Sequence, residues 1–306
     1  MLEINNRYVL NLSIVIPTYN RPEILQKTLQ SISLQQHQPY EIIIIDGSKD
    51  FEKSTSSMWP NLSSIIVHEK AIELGAAKQR NQGIALANTD IIGFFDDDII
   101  LEKDCIKILW DGLQKHQNCG GINAVITNQS YHNLGSISKM FYRLLGGDTS
   151  KSLAGKCIGP AICFLPSLET KVEYAEVDWL NLGCTFYRKD ALPKPVFDHH
   201  FVGYSLMEDL ALSLRVGQNW KLITASQAHI YHDSQPSEGK SNIFINSEME
   251  LVNRFYIMKH IRNQTGLKDY VKLFLQQLFS AVSSKKILSI KYLKGKYSAL
   301  KKIQKI

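Results

Sequence analysis

The chain has no pair of cysteines at metal or redox spacing: Cys105, Cys119, Cys157, Cys163 and Cys184 stand singly at irregular intervals. That excludes a C-x-x-C zinc or redox motif and the even-numbered disulfide framework of a small secreted domain, and it fits a reducing compartment. No apolar run approaches the ~18 residues that a membrane-crossing helix needs, so none is expected. The opening stretch MLEINNRYVLNLSIVIPTYN lacks the basic and then apolar regions of a signal peptide, and the chain is expected to start in the cytoplasm. Internal repeats and low-complexity blocks are missing as well. Acidic residues are scarce at one end: residues 266–306 hold ten lysines against the single Asp269, a charge of +9, where the whole chain carries +6. The remainder is therefore slightly acidic, which excludes a uniformly basic nucleic-acid binder; no nucleic-acid partner is expected.

What is present is a chain of 306 residues, 44% hydrophobic and 21% charged, enough for a full α/β core with length left for an appendage. Leu12 to Tyr19 (LSIVIPTY) is a nearly continuous β-branched strand pattern stopped by Asn20. Pro22 then opens a segment with Ile24, Leu25, Leu29 and Ile32 at helical spacing. Tyr40 to Asp46 (YEIIIID) is apolar on both faces, as in a parallel strand covered by helices, and Ser64 to Val67 repeats the pattern more weakly. Gly75 to Ala87 reads as helix, Ile91 to Phe95 as buried strand, Leu101 to His116 as helix and Gly121 to Thr127 as strand. Alternating strand and helix through residue 127 predict an open, mostly parallel sheet. Beyond residue 128 the pattern loosens, with a Gly/Ser/Lys loop near 146–156. Order returns in Val177 to Arg188, a helix over Glu208 to Val216, a strand near Leu222 to Thr224 and a turn-rich stretch from Asp233 to Ser241, with helices beyond.

The strand Ile91–Phe95 ends in Asp96-Asp97-Asp98, and residues two apart in an extended chain point to the same side, so Asp96 and Asp98 face one site. Three adjacent acids repel unless a divalent cation neutralises them, and the carboxyl edge of an open α/β sheet is where ligands bind. From the triplet alone, a cation site and an acidic turn capping the next helix both stand. Asp46, ending a neighbouring strand before Gly47-Ser48, projects onto the same edge, although an Asp in DGS also makes an ordinary Asx-turn. In LGAAKQRNQGI (74–84), Gly75 permits close backbone approach, and Arg80 and Asn81 stand near a helix start, where anions bind. Arg80 taken alone also fits a solvated helix face.

IPTYNRP (16–22), IIIIDGS (42–48), the Gly75…Arg80-Asn81 segment and FFDDD (94–98) occur in the order and spacing of family-2 glycosyltransferases, and the resemblance covers roughly residues 12–260. It implies a GT-A fold, a nucleotide-sugar donor and inversion at the anomeric carbon. On that resemblance Pro17, Thr18, Tyr19, Asn20, Arg21, Asp46, Gly75, Arg80, Asn81, Asp96 and Asp97 line the nucleotide sugar. Asp96 and Asp98 hold Mg²⁺ or Mn²⁺. EVDWLNLGCTFYRKDAL (176–192) looks like the family's acceptor-side strand, with Asp178, Trp179 and Gly183 as acceptor contacts, and MEDLALSLRV (207–216) looks like its Glu-Asp helix. Inverting transfer needs a base on the acceptor hydroxyl; Asp209 is the expected base, with Glu208 second. Both acids equally suit the dipole at a helix start, and Trp179 equally suits a core. His232 in AHIYHD resembles the position that closes over the diphosphate or ligates the metal; His229 is three residues away and stays in play, while His199 and His200 read as structural.

Some features depart from the pattern. The QxxRW motif and flanking membrane helices of processive synthases are missing, with only QNW at 218–220, and Lys78-Gln79 stand where small residues are usual. Three regions are expected: 1–127 as nucleotide-sugar half, 128–262 as acceptor and base half, and 263–306 as a basic amphipathic helical tail. Leu273, Phe274, Leu278, Ile287, Ile290, Tyr292, Leu293 and Tyr297 sit among the tail's lysines, so it suits either an anionic membrane surface or packing on the domain. The former would suit a lipid-linked or growing cell-envelope saccharide acceptor and a peripheral place on the inner face of the membrane. Two other classes remain to be told apart: a metal-dependent nucleotidyltransferase, which would carry a Gly-rich Arg-containing loop where this chain has PTYNRP, and a non-catalytic binder of anionic lipid or nucleic acid, which leaves Asp96 to Asp98 unexplained.

Overall fold

Valine- and isoleucine-rich runs fill both faces of a strand when helices cover the sheet on each side. In the computed structural model, which describes residues 2–4, 7–53, 58–59, 62–169, 171–234 and 242–306, those runs become a ten-stranded sheet. The first-half strands are β1 (Leu2–Ile4), β2 (Arg7–Thr18), β3 (His37–Asp46), β4 (Ile65–Lys70), β5 (Ile91–Phe95), β6 (Ile99–Leu101) and β7 (Cys119–Ile126). The second half adds β8 (Cys157–Ile158) and β9 (Ile162–Cys163), which form a separate hairpin, then β10 (Tyr174–Val177), β11 (Cys184–Arg188) and β12 (Lys221–His232). The helices are α1 (Pro22–Ser33), α2 (Ala76–Leu86), α3 (Cys105–Lys115), α4 (Ser136–Leu144), α5 (Glu208–Val216), α6 (Ile243–Tyr256), α7 (Leu267–Ser283) and α8 (Ile290–Ile303).

The sheet runs β10-β12-β7-β11-β5-β2-β3-β4, with β1 beside β2 and β6 beside β12. Strands β5, β2, β3 and β4 are parallel, with α1 crossing from β2 to β3 and α2 from β4 to β5. β11 enters antiparallel between β5 and β7, so both halves of the chain share one mixed sheet. Period-two alternation divides the YEIIIID run: Ile42 and Ile44 join the core under α1 and α3, while Ile43 and Ile45 join the core under α2 and α5. The chain leaves β2 for β3 on one side and later returns to β5 on the other, so the strand order reverses between β2 and β5. That opens a crevice at their carboxyl ends, where open α/β sheets bind ligands.

Two elements differ from the sequence expectation in a way that matters for this crevice. The helix expected from Leu101 starts at Cys105, because Ile99–Leu101 pairs as β6 with the far end of β12. β12 itself runs past Thr224 to His232, shifting register against β7 between Ala225 and His229, and its end Ile230–His232 also pairs with β6. The turn-rich stretch lies outside the described residues from 235 to 241.

The tail forms two helices, α7 and α8. Leu273 of α7 and Ala299 of α8 meet Leu251, Val252, Phe255 and Met258 of the α6 region in a core of their own. Gly295 lets α8 press against Ser247 and the Phe244 carbonyl of α6. Of the apolar residues noted in the tail, Leu273 and Tyr292 are buried, whereas Phe274, Leu278, Ile287, Ile290, Leu293 and Tyr297 are exposed. Among the described residues no helix is long and apolar enough to cross a membrane.

Candidate active site

The crevice is floored by the segment that follows β5. The Asp96 amide donates to the Gly183 carbonyl just before β11, at 3.1 Å, and the Asp233 amide donates to the Asp98 carbonyl at 2.8 Å. Thr28 of α1 braces the turn from beneath, its hydroxyl 2.7 Å from the Asp97 carbonyl oxygen and 2.8 Å from that of Ile99. Pairing of β6 with β12 sets His232 opposite Ile99, and its Nε2 lies 2.9 Å from Asp98 Oδ1. Asp96, Asp98 and His232 thus offer three ligand atoms, all within 4.8 Å of one another. Two hard carboxylate oxygens and an imidazole nitrogen form a donor set that fits Mg²⁺ or Mn²⁺. His229 is turned elsewhere, with Nε2 2.9 Å from the Ser226 carbonyl and Nδ1 3.4 Å from Glu102.

Asp97 faces the opposite way. It is buried, accepts the Thr18 hydroxyl at 2.7 Å and pairs with Arg21 at 2.8 Å. Burial pushes its carboxyl up to about 6 against the pull of Arg21 and Thr18. Arg21 also reaches Asp98 at 3.3 Å and so spans two of the three acids. The structure therefore gives Asp97 and Thr18 a bracing task beneath the crevice.

At the end of β3, Asp46 accepts the Ser48 amide at 2.7 Å in an Asx-turn, and His68 Nε2 lies 3.4 Å from its other oxygen. Burial raises its pKa, but hydrogen bonds from His68 and Ser48 more than offset this and leave the carboxyl below its ordinary value. The loops after β2 and β3 are stitched together: the Asn20 amide donates to Ser48 Oγ at 2.7 Å, the Lys49 amide to Asn20 Oδ1 at 3.2 Å and the Gly47 amide to the Thr18 carbonyl at 2.9 Å. Asn20 adopts φ 53, a conformation its short polar side chain tolerates. Tyr19 is exposed at this rim, and Pro17, inside β2, is aligned with Ile45 of β3.

Gln79, where small residues are usual, has a physical reason to be large. Its buried amide donates to the carbonyls of Thr18 at 3.0 Å and Ile45 at 2.7 Å, closing the ends of β2 and β3. Arg80, buried, pairs with Asp96 at 2.7 Å and with Glu208 at 2.5 Å, so its guanidinium joins the acidic motif to the start of α5. Asn81 makes a two-way amide pair with the Phe197 backbone at 2.8 and 3.0 Å, a contact between chain segments. Gly75, at φ +122, bridges Gly203, and a Cβ there would stand 3.1 Å from the Gly203 backbone.

Glu208 and Asp209 open α5. Burial pushes Glu208 up to about 8, against Arg80 and with the help of Asp209. Burial likewise raises Asp209 to about 6, while the Leu210 amide, donating at 2.7 Å, draws it down. Tyr204, which the sequence reading missed, follows Gly203 in the loop before α5 and is partly exposed. Burial pushes its hydroxyl up to about 12, reinforced by the charges of Asp96, Glu208, Asp209 and Asp98. Only the general spacing before a Glu-Asp pair could have pointed to it. On the expected acceptor side, Asp178 pairs with Lys156 at 3.2 Å and accepts the Cys157 amide at 2.8 Å, holding the β8–β9 hairpin. Trp179 is buried and donates to the Phe164 carbonyl at 2.9 Å, as a core residue would. Gly183 lies against Asp96, whose carboxylate a Cβ would approach to 3.9 Å. His200 stacks on Tyr256 with centroids 3.9 Å apart, as a structural residue.

A mixed sheet with its parallel half flanked by helices is the GT-A fold, and solved structures share that fold. S. aureus TarS residues 1–349 superposes with a TM-score of 0.57 at 15% identity, covering 96% of this chain and 80% of that one. A Pyrobaculum calidifontis mannosyltransferase solved with GDP-Man and Mn²⁺ gives 0.54 at 15% identity, over 95% and 74%. The profile of glycosyl transferase family 2 matches residues 13–166, half of the chain, and the chain belongs to that family. An uncharacterized glycosyltransferase of Rickettsia conorii is 24% identical over 306 residues, covering 96% of this chain and 45% of the relative. The chain spans less than half the length of the curated relatives it matches.

Proposed function

We propose that this protein transfers a sugar, with inversion, from a nucleoside-diphosphate donor to a saccharide acceptor, and that Asp96, Asp98 and His232 hold a divalent cation. The observation that carries this reading is the convergence of those three ligand atoms within 4.8 Å at the β2/β5 crevice. A cation bound there would offset the charge of the departing nucleoside diphosphate. Asp46 and the stitched loops after β2 and β3 form the nucleoside side of the crevice. Asp209, raised to about 6, is ionised at neutral pH and basic enough to take the proton of an acceptor hydroxyl as it attacks the anomeric carbon. Arg80 holds Asp96 and Glu208 in register, so that the donor and acceptor halves keep one geometry.

The acceptor is assigned as a lipid-linked or growing cell-envelope saccharide, with the protein peripheral on the inner face of the membrane; the lysine-rich, partly apolar tail supports this. Calorimetric titration of UDP, GDP and dTDP with Mn²⁺ or with EDTA, into wild type and Asp98→Asn, tests the donor reading. One nucleotide should bind only with metal and should lose that binding in the variant. Absence of binding by all three would sink it.

A further inference from the structure

Helix α4 is short and carries no buried residue, yet it is among the more apolar-faced helices of the chain. Ile137, Met140 and Leu144, at i, i+3 and i+7, form a single stripe with exposures of 76%, 72% and 64%. Helix α7 has a longer one: Leu267, Val271, Phe274, Leu278 and Val282 are all exposed, Phe274 by 66%. The two helices are clamped to each other. Phe141 of α4 stacks on Phe279 of α7 with centroids 3.9 Å apart and an interplanar angle of 12°, and Lys272 Nζ lies over Gly146 just beyond the end of α4.

The inner flanks of that stack are covered. Leu145 after α4 and Leu273 and Gln276 on α7 are buried, and Leu275 packs in the cluster with Tyr142 and Phe164. Each apolar stripe therefore falls on the outer side of the Phe141–Phe279 contact, so the two stripes adjoin. Exposed apolar side chains scattered singly need no explanation, but eight on two adjoining helices mark an interaction surface. The charge around the face is mostly positive, and exposed Asp148 just beyond α4 is paired with Lys151 at 3.7 Å. Lys139 and Arg143 flank the α4 stripe, exposed Lys268 lies on α7, and Lys285 and Lys286 follow it. The segment 134–147 contains no acid, and the one acid of α7, Asp269, is occupied in capping the helix, accepting the Gly266 amide at 3.1 Å.

We infer that the paired faces of α4 and α7 form the seat of this protein on an anionic lipid surface. The occupant follows from chemistry: protruding apolar side chains rimmed by cations suit an acyl layer beneath negative headgroups. A second copy of the same face would bring like charges together. The seat extends beyond the basic tail, because half of it comes from a helix in the acceptor half of the chain. The β8–β9 hairpin is tied to the same region: Ile158 and Ile162 share a core with Leu145 and Phe141, and Arg254 donates to the carbonyls of Pro160 and Ala161. The acceptor side of the enzyme would thus stand next to the bilayer, where a lipid-linked saccharide is presented.

The test needs no glycosyl transfer, so it separates this inference from the proposed chemistry. The full chain is sedimented with vesicles of phosphatidylcholine alone or mixed with phosphatidylglycerol, as wild type, Met140→Glu, Phe274→Glu and, as a control on a distant exposed apolar residue, Leu34→Glu. Wild type and Leu34→Glu should bind the anionic vesicles, weakening with salt, while each of the other two should bind about tenfold more weakly or worse. Unchanged circular dichroism and melting of the variants checks that the substitutions spare the fold. Lack of binding to anionic vesicles, or binding indifferent to Met140→Glu and Phe274→Glu, would overturn the inference. So would a concentration-dependent dimer, seen without vesicles, that those substitutions dissolve.

Discussion

Arg80 on α2 and Glu208 at the start of α5, 128 residues apart in sequence, meet at 2.5 Å in the interior, and the same guanidinium holds Asp96 at 2.7 Å. One buried cation thus sets the distance between the acidic motif and the segment that carries Asp209. Removing it leaves Asp96 without its cation and the buried carboxyl of Glu208, already raised to about 8, without its donor. Arg80→Met should cost about 3–5 kcal/mol of stability, read from urea denaturation, and should abolish transfer. Arg80→Lys, a point charge that cannot fork between two carboxylates, should recover part of the stability and little of the activity. Equal activity in Arg80→Lys and wild type would show that the bridge does not position the site.

The raised pKa of Asp209 sets a pH dependence. A base must be ionised to accept a proton, and Asp209 ionises as the pH rises through about 6. The rate should therefore climb about tenfold per pH unit below that point and level off above it. Asp209→Asn should lower kcat by roughly 10²–10⁴ with little change in nucleotide affinity, and the acidic limb should vanish from what activity remains. An intact acidic limb in the variant would assign it to another group.

His232 and His229 share one strand but not one role. His232→Ala should weaken Mn²⁺ binding, followed by electron paramagnetic resonance, by about tenfold or more. His229→Ala, which loses only contacts to Ser226 and Glu102, should leave it unchanged. Equal effects of both substitutions would remove His232 from the cation site.

Gly75 approaches Gly203 so closely that a side chain on Gly75 would meet the Gly203 backbone, whereas a Cβ on Gly203 would meet nothing within 4 Å. Gly75→Ala adds a Cβ 3.1 Å from the Gly203 backbone at a φ of +122. The expected cost is about 1–3 kcal/mol, visible as a lower Tm. A variant as stable as wild type would show that the bridge is not needed.

The elements around the crevice were legible because each is written locally. IIIIDGS and IIGFFDDD are buried strands that end abruptly in acids, and PTYNRP is a strand stop followed by a helix start; period and punctuation suffice for both. The grouping of Asp96 and Asp98 followed from alternation along a strand, and His232 followed from a family resemblance. The sequence did not show that Leu101 would turn into a strand end, nor that β12 would run on to His232. Those outcomes depend on β6 and β12 pairing with each other, across a sequence separation that no local window spans.

The tertiary structure also decided which way each polar side chain of the motifs would turn. The family resemblance named Arg80, Asn81, Asp97 and Trp179 as ligand contacts, and the structure adds protein partners for each: Glu208, the Phe197 backbone, Thr18 with Arg21, and the Phe164 carbonyl. A polar group taken out of water must be paired, and the partner is whichever group the fold brings within reach. The sequence by itself determined the central buried strands, the acids at their ends and the lysines of the tail. Only the packing of α7 against α4 decided that their apolar stripes adjoin on one exposed face, because a helix's own periodicity fixes its stripe but not its neighbour.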